Sequence, residues 1–337
     1  VWPVIFILFI FGFVQSESVQ VSISSQQVID NDSIQIHWEL STQSIKNEKI
    51  LIWNTPLENE WNSNLFNIKH IDSGEHAIYI GKAVNRVPPK LENFVSCEHS
   101  LEGVLELTEG YSFTKFGTYS ISMIFGIQFL SGEFLLAKSN TIFVTIDEPI
   151  LNELPVLHER DVGYIGCFQN QTEDANLSII DATSASLNAL NYLDQVDRTD
   201  KTSYVNWFGN YSISNWNTVQ SNFYAIHKNL DNRNLNINCE CDNESAYAYV
   251  YPSDDTHTIY LCPPFWEHAS LNPYHWNSQP GTITHEMSHF ADISDTLDIT
   301  YGPLRCYNLA EDDPSEAIIN ADSYQCFQES RPTVSYK

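Results

Sequence analysis

Apolar and polar residues alternate with a period of two through the first half of the chain and with a period of three to four through the second. Segments 19–24, 34–40, 77–83, 103–107, 119–129 and 141–146 place apolar side chains on every other position between turn residues, the pattern of strands with one buried face. An antiparallel β-sandwich over 19–148 accommodates them. Segments 182–196, 214–230, 282–292 and 314–328 instead repeat apolar residues at helical spacing, with Asp181, Ser212 and Asp313 placed as N-caps. Between them, 246–251 and 258–262 have the length and composition of short strands. The predicted fold class is therefore α+β, an N-terminal antiparallel sandwich followed over 161–337 by a mainly helical domain with a small antiparallel sheet. A chain of 337 residues is long enough for both. Segment 149–160, with Pro149 and Pro155, forms the predicted connector, and Glu159-Arg160-Asp161 is a reasonable processing point at its end.

The first fourteen residues are almost entirely apolar and are followed by the polar run Gln15-Ser16-Glu17-Ser18. This predicts a signal-peptide core over 1–18, too short for the ~20 residues that span a bilayer, and no second long apolar run follows. The expected product is secreted, with no membrane attachment in its mature form. With no initiator Met and no basic stretch before the apolar run, the sequence is expected to begin downstream of its natural start. Sequons at Asn31, Asn170, Asn176, Asn210 and Asn243 fit a glycosylated exported protein. The net charge of −27 argues against nucleic acid or an anionic membrane as a partner, since either needs a basic patch. From Asp161 onward, 24 acidic side chains face 7 basic ones, a net −17 that could attract basic substrates. A monomer is expected. Seven cysteines in a secreted chain invite pairing, and Cys239 and Cys241, one residue apart, are poorly placed to bridge each other.

The chemistry concentrates in His285-Glu286-Met287-Ser288-His289. On a helix, His285 and His289 lie one turn apart on one face and can donate imidazole nitrogens to one tetrahedral Zn²⁺, with Glu286 beside the open position. Water bound to zinc titrates near ~7 instead of ~15.7, so a neighbouring carboxylate can take its proton and pass it to a leaving amine. That is peptide hydrolysis. With 11 histidines in the chain, chance would produce this pattern in about 2% of such sequences, so the third ligand decides the class. A pattern ending in G-x-x-H is excluded, because Asp292 and Asp295 hold those places. Glu311 or Glu316 on a later helix could serve, and so could Asp298.

Asp295-Thr296-Leu297-Asp298-Ile299-Thr300-Tyr301-Gly302 resembles the G-T-x-D-x-x-Y-G signature of the aspzincins, the deuterolysin and peptidyl-Lys metalloendopeptidase family. Gly163-Tyr164-Ile165-Gly166-Cys167, Trp207-Phe208-Gly209, Ala248-Tyr249-Val250-Tyr251-Pro252, Ile259-Tyr260-Leu261-Cys262 and Asn320-Ala321-Asp322 recur in the family's order. Asp295 replaces a Gly, and Asp tolerates left-handed backbone better than most residues. The resemblance implies a zincin-type catalytic domain that acts on protein or peptide substrates. It implies one zinc on His285, His289 and Asp298, Glu286 as general base and acid, and Tyr301 as oxyanion partner. It also implies Cys167–Cys239 and Cys241–Cys262 bridges, leaving Cys306 and Cys326 as the natural third pair and Cys97 alone as a buried thiol. Tyr79-Ile80-Gly81-Lys82 and the stretch from Tyr111 to Tyr119 resemble the family's propeptide, which makes the sandwich a removable prosegment; a permanently attached binding domain is the competing interpretation. Lysyl-specific members use the Asp of Asn-Ala-Asp, here Asp322, with a Glu three residues later, where this chain has Gln325. The resemblance therefore implies broad or basic-leaning endopeptidase specificity, with preference for Lys on the prime side left open. The alternative is a secreted, catalytically inactive binding glycoprotein on the same fold.

Overall fold

The computed structural model describes residues 21–27, 33–41, 48–58, 60–147, 149–150, 162–194, 201–330 and 332. The expected signal segment, most of the connector with its processing point, and Asn31 lie outside the described residues.

The N-terminal half contains β1 (Val21–Gln27), β2 (Ile34–Leu40), β3 (Lys49–Leu51), β4 (Phe66–His70), β5 (Ile78–Tyr79), β6 (Ala83–Arg86), β7 (Phe94–Ser96), β8 (Leu101–Glu106), β9 (Tyr111–Ser112), β10 (Gly117–Gln128), β11 (Phe134–Lys138) and β12 (Ile142–Ile146). β10 shows why the pattern works: Tyr119, Ile121, Met123, Phe125 and Ile127 are buried while the residues between them are only partly covered. β11, β12 and β4 all pair with it, and β1-β2-β8 form a second antiparallel sheet. Inward residues of both sheets, among them Ile36 and Trp38 from one and Ile121 and Phe125 from the other, share a single core. The expected single strand over 77–83 is broken at Ile80 to Lys82, where Tyr79 turns its hydroxyl onto the Lys82 and Trp61 carbonyls. That break frees Ala83–Arg86 to leave the N-terminal sheets altogether.

The C-terminal half runs β13 (Gly163–Ile165), α1 (Gln169–Leu193), α2 (Thr202–Phe208), α3 (Ile213–Asp231), β14 (Asn236–Asn238), β15 (Ala246–Val250), β16 (Thr258–Leu261), α4 (Pro263–Glu267), α5 (Gln279–His289), α6 (Pro303–Asp312), α7 (Pro314–Ala317) and α8 (Ala321–Glu329). Its sheet has the order β13-β14-β16-β15-β6. This corrects the expected small antiparallel sheet: β13, β14 and β16 are mutually parallel, β15 is antiparallel, and the outermost strand is contributed by the N-terminal half. Disulfides Cys167–Cys239 and Cys241–Cys262 pin β14 to the entry of α1 and to the end of β16. The expected third bridge is absent: Cys306 and Cys326 are buried thiols, and both sulfurs turn toward Asp322 Oδ2. Cys97 is a buried thiol as well.

α1 begins thirteen residues before the predicted segment, so Asp181 is internal to a helix and not a cap. Apart from Ile179, its early core positions are small, Ala175, Ser178 and Ala182, which weakens the period in an apolar count. The expected helix over 314–328 is two helices, because Asn320 is extended and pairs with Leu297. Ser212 caps α3 by accepting from the Asn215 N–H at 3.1 Å, so Ser212→Ala should lower the unfolding free energy by about 1 kcal/mol in a urea titration. α5 lies between α1 and α8 and against β15, and all eleven of its residues are buried. No helix among the described residues is long and apolar enough to cross a membrane.

Candidate active site

Ser278 starts α5 by accepting from the Gly281 N–H at 2.8 Å, and the helix stops at His289 because Phe290 turns to extended backbone. His285 and His289 therefore sit one turn apart, ring centroids 4.9 Å from each other. The chain then reverses through Asp295, whose φ of 49° lies in the left-handed region that Asp tolerates. Thr296 returns to the helix, its N–H on the Ser288 carbonyl and its hydroxyl on Ser288 Oγ. Asn320 holds the next stretch: its Oδ1 accepts from the Ile299 and Thr300 N–H groups at 3.1 Å each, while Leu297 pairs with the backbone on either side of it. These contacts bring Asp298 onto the exposed face of neither helix nor sheet, but directly against the two imidazoles.

Asp298 Oδ1 is 3.0 Å from His285 Nε2 and 3.3 Å from His289 Nε2. His289 Nδ1 lies 2.8 Å from the Thr296 carbonyl, which can only accept, so the proton sits on Nδ1 and Nε2 faces the cluster with a free lone pair. His285 Nδ1 is 3.3 Å from Asp322 Oδ1, close enough for charge pairing without hydrogen-bond alignment. Burial works against charge on both imidazoles, yet the neighbouring Asp298 carboxylate holds each above its ordinary pKa, with Asp322 adding to the effect at His285. Asp298 is likewise disfavoured by burial and nonetheless held well below the usual carboxylate range by His289 and His285.

Glu286 shares this buried space. Burial pushes its carboxyl up to about 7 against the pull of His285 and His289, and neither of its oxygens has a hydrogen-bond partner. Two orphan carboxylate oxygens and an unpartnered His289 Nε2, all fully buried, mark a place built for something the polypeptide does not itself supply. A metal ion fits. The nearest nitrogen, nitrogen and oxygen atoms lie within 4.8 Å of one another, and tetrahedral bonds of ~2.0–2.1 Å require donor separations of about 3.3 Å, close to those between Asp298 and the imidazoles.

Tyr301 stacks near His285, with centroids 6.2 Å apart. Its hydroxyl donates to the Val84 carbonyl at 2.6 Å and accepts from Asn54 Nδ2 at 2.9 Å. Burial, then the Asp298 charge, raise this phenol well above its ordinary value, so it is a hydrogen-bond donor at neutral pH. Val84 N–H donates to Asp298 Oδ2 at 3.1 Å, and Asn54 Nδ2 also donates to the Asp298 carbonyl at 3.0 Å. Neither Asn54 nor Val84 was legible as a site residue, since contacts across more than 200 positions leave no local sequence signal. Asn320 could have been found, as the first residue of the Asn-Ala-Asp motif.

Asp322 is buried, with Oδ2 accepting from the Gly302 N–H, behind His285. Gln325 is also buried; its Nε2 donates to Glu329 Oε1 at 3.0 Å, and its Oε1 has no partner. Among the sequon asparagines, Asn170 and Asn210 are exposed, and Asn176 and Asn243 are half-buried.

A family model, aspzincin, described as lysine-specific metallo-endopeptidase, matches residues 193–329. An extracellular protease of Aeromonas hydrophila is 29% identical over 318 residues, covering 90% of this chain and 89% of the relative. A peptidyl-Lys metalloendopeptidase of Pleurotus ostreatus is 33% identical over 172 residues, 51% of this chain and 99% of the relative. Among solved structures, a zinc peptidase from Grifola frondosa covers 50% of this chain and 100% of its own, at 32% identity and a TM-score of 0.46. The peptidyl-Lys metalloendopeptidase of Grifola frondosa is 30% identical over 281 residues that span 78% of this chain and 79% of the relative. A match of that identity across nearly four-fifths of both sequences places the chain in the aspzincin family, and it is a metalloendopeptidase.

Proposed function

We propose that this chain is a secreted zinc endopeptidase in which His285 Nε2, His289 Nε2 and Asp298 Oδ1 hold the metal and Glu286 moves the proton. The observation that carries the reading is the convergence of those three atoms beside a buried carboxylate with no partner. Zinc bound there supplies Lewis acidity toward water and the scissile carbonyl. Glu286, held near pH 7 by burial, takes a proton as water adds to the carbonyl carbon and returns it to the amine as the C–N bond breaks. Tyr301, protonated at neutral pH, donates to the oxygen that becomes negative. Residues 19–148 act as a prosegment and 149–160 as its connector; the Pleurotus ostreatus relative, whose whole length matches only 51% of this chain, supports a peptidase that stands without the rest.

Cleavage is broad and basic-leaning in this reading. The net negative charge of the C-terminal half favours basic side chains, while Gln325 gives no second charge to select Lys strictly. Digestion of a denatured proteome by the released C-terminal half, with and without a chelator, tests this. Chelator-sensitive cuts enriched at but not confined to basic residues are expected. A complete absence of cuts from zinc-containing protein would sink the enzyme reading, and cuts only before Lys would overturn the specificity.

Zinc uptake should also release protons. Against its burial, the His285 imidazole is pushed up to about 10 in the metal-free site by Asp298 and Asp322, so at pH 7 the ion displaces a proton to reach its nitrogen lone pair, and affinity should climb as pH rises. Calorimetric titration in two buffers of different ionisation enthalpy should give a net release of about one proton or more per zinc.

A further inference from the structure

We infer that Cys306, Cys326 and Asp322 form a second metal site, apart from the three proposed zinc donors, that takes a thiophilic ion of the Cu(I) class. This goes beyond the peptidase reading and does not rest on it. Cys306 lies on α6, while Asp322 and Cys326 lie one turn apart on one face of α8. Their donor atoms are all within 4.8 Å of one another: Asp322 Oδ2 is 3.5 Å from Cys306 Sγ and 3.8 Å from Cys326 Sγ. Metal bonds of ~2.3 Å to sulfur and ~2.1 Å to oxygen place those two atoms about 3.6 Å apart in a tetrahedral site and about 3.8 Å apart in a trigonal one. The cluster is therefore already spaced to close on an ion.

The carboxylate supplies an independent reason. Asp322 is buried, and buried charges are ordinarily paired with an opposite charge or bound to a metal. Its Oδ1 faces His285 Nδ1 at 3.3 Å, while Oδ2 meets the Gly302 N–H and the two thiols, which are weak donors. Two thiolates select a soft ion. Structural zinc takes four such donors, and catalytic zinc keeps a position open to water. This cluster has three, each residue no more than 5% exposed, so it matches neither kind of zinc site and suits a three-coordinate soft ion. Asn320 Nδ2, 3.5 Å from Cys306 Sγ, can only donate, so it supports a thiolate without completing a tetrahedron. Binding forms two metal–sulfur bonds and releases two thiol protons to solvent, with no electron transferred. The Arg305 guanidinium, within electrostatic reach of Cys306 and Asp322, offsets part of the added negative charge.

The test uses the full chain loaded with zinc, kept anaerobic and free of thiol reductant so that its two disulfides stay closed. Cu(I), supplied as its acetonitrile complex, is titrated while thiolate-to-copper absorption is followed, and competition with bathocuproine ranks the affinities. Wild type should take up one Cu(I) per chain and keep its zinc. Cys306→Ala and Cys326→Ala should each weaken Cu(I) binding more than about 100-fold, beyond the range for loss of an outer partner. Cys97→Ala, whose thiol lies in the N-terminal core, should bind as wild type does. X-ray absorption at the copper edge of the wild-type complex needs no variant, and should show two sulfurs and one oxygen. A shell of nitrogen and oxygen alone, or affinity unchanged in both Ala variants, would overturn the site. So would a count of one reactive thiol in the unfolded wild-type chain, which would mean that Cys306 and Cys326 are bridged.

Discussion

Glu286→Gln in the released C-terminal half is expected to lower kcat for peptide hydrolysis by about 10³-fold, equivalent to about 4 kcal/mol, with zinc still bound at one per chain. Gln matches Glu in shape, so the fully buried helix α5 should keep its packing against α1 and α8. What disappears is the ability to accept a proton from water and return it to the leaving amine. The carboxyl sits close to neutral pH because burial disfavours its charge, while the two imidazoles oppose that shift. A group so poised can act in both directions within one turnover. Steady-state kinetics with zinc quantified on the same sample decides the matter: a Gln variant that retained wild-type kcat would remove Glu286 from the chemistry.

Asp298→Ala should cost more in metal binding than any change behind the ligands. The carboxylate is the anionic member of the cluster, within 3.3 Å of both Nε2 atoms, and its charge offsets the burial that disfavours charge on the imidazoles. Loss of an outer partner of a metal-binding histidine typically weakens affinity 10- to 100-fold, so loss of this direct donor should exceed about 100-fold. Asp322→Ala, which removes only the carboxylate behind His285, should fall inside the smaller range. Competition titration against a chromophoric chelator would measure both. Equal losses would mean that Asp298 is not a donor, or that Asp322 is more than a support.

Much of the site was readable because its chemistry is local. His285 and His289 are fixed by one helical turn, and Asp295 forms the left-handed bend that its family position required. Strands with one buried face, such as β2 and β10, carried the alternation that marked them. What escaped was decided by partners distant in sequence or by small residues. The start of α1 is held by Ala175 and Ser178, which carry little apolar signal. β6 has all four residues buried, so it shows no alternation, and its partner strand lies some 160 positions downstream. The mixed sheet follows from that same long-range pairing. Cys306 and Cys326 suggested a bridge because the two family pairs left them over, yet both turn toward a carboxylate that sequence spacing does not reveal.

The order in which the strands are synthesised gives β6 a role before any catalysis. Residues 246–250 read Ala-Tyr-Ala-Tyr-Val, with no proline and no charge along the strand. A bare strand of that composition at the rim of a sheet invites another chain to pair with it, the first step of aggregation. Because residues 83–86 precede residues 246–250 in synthesis, a cover for that rim already exists when the rim is made.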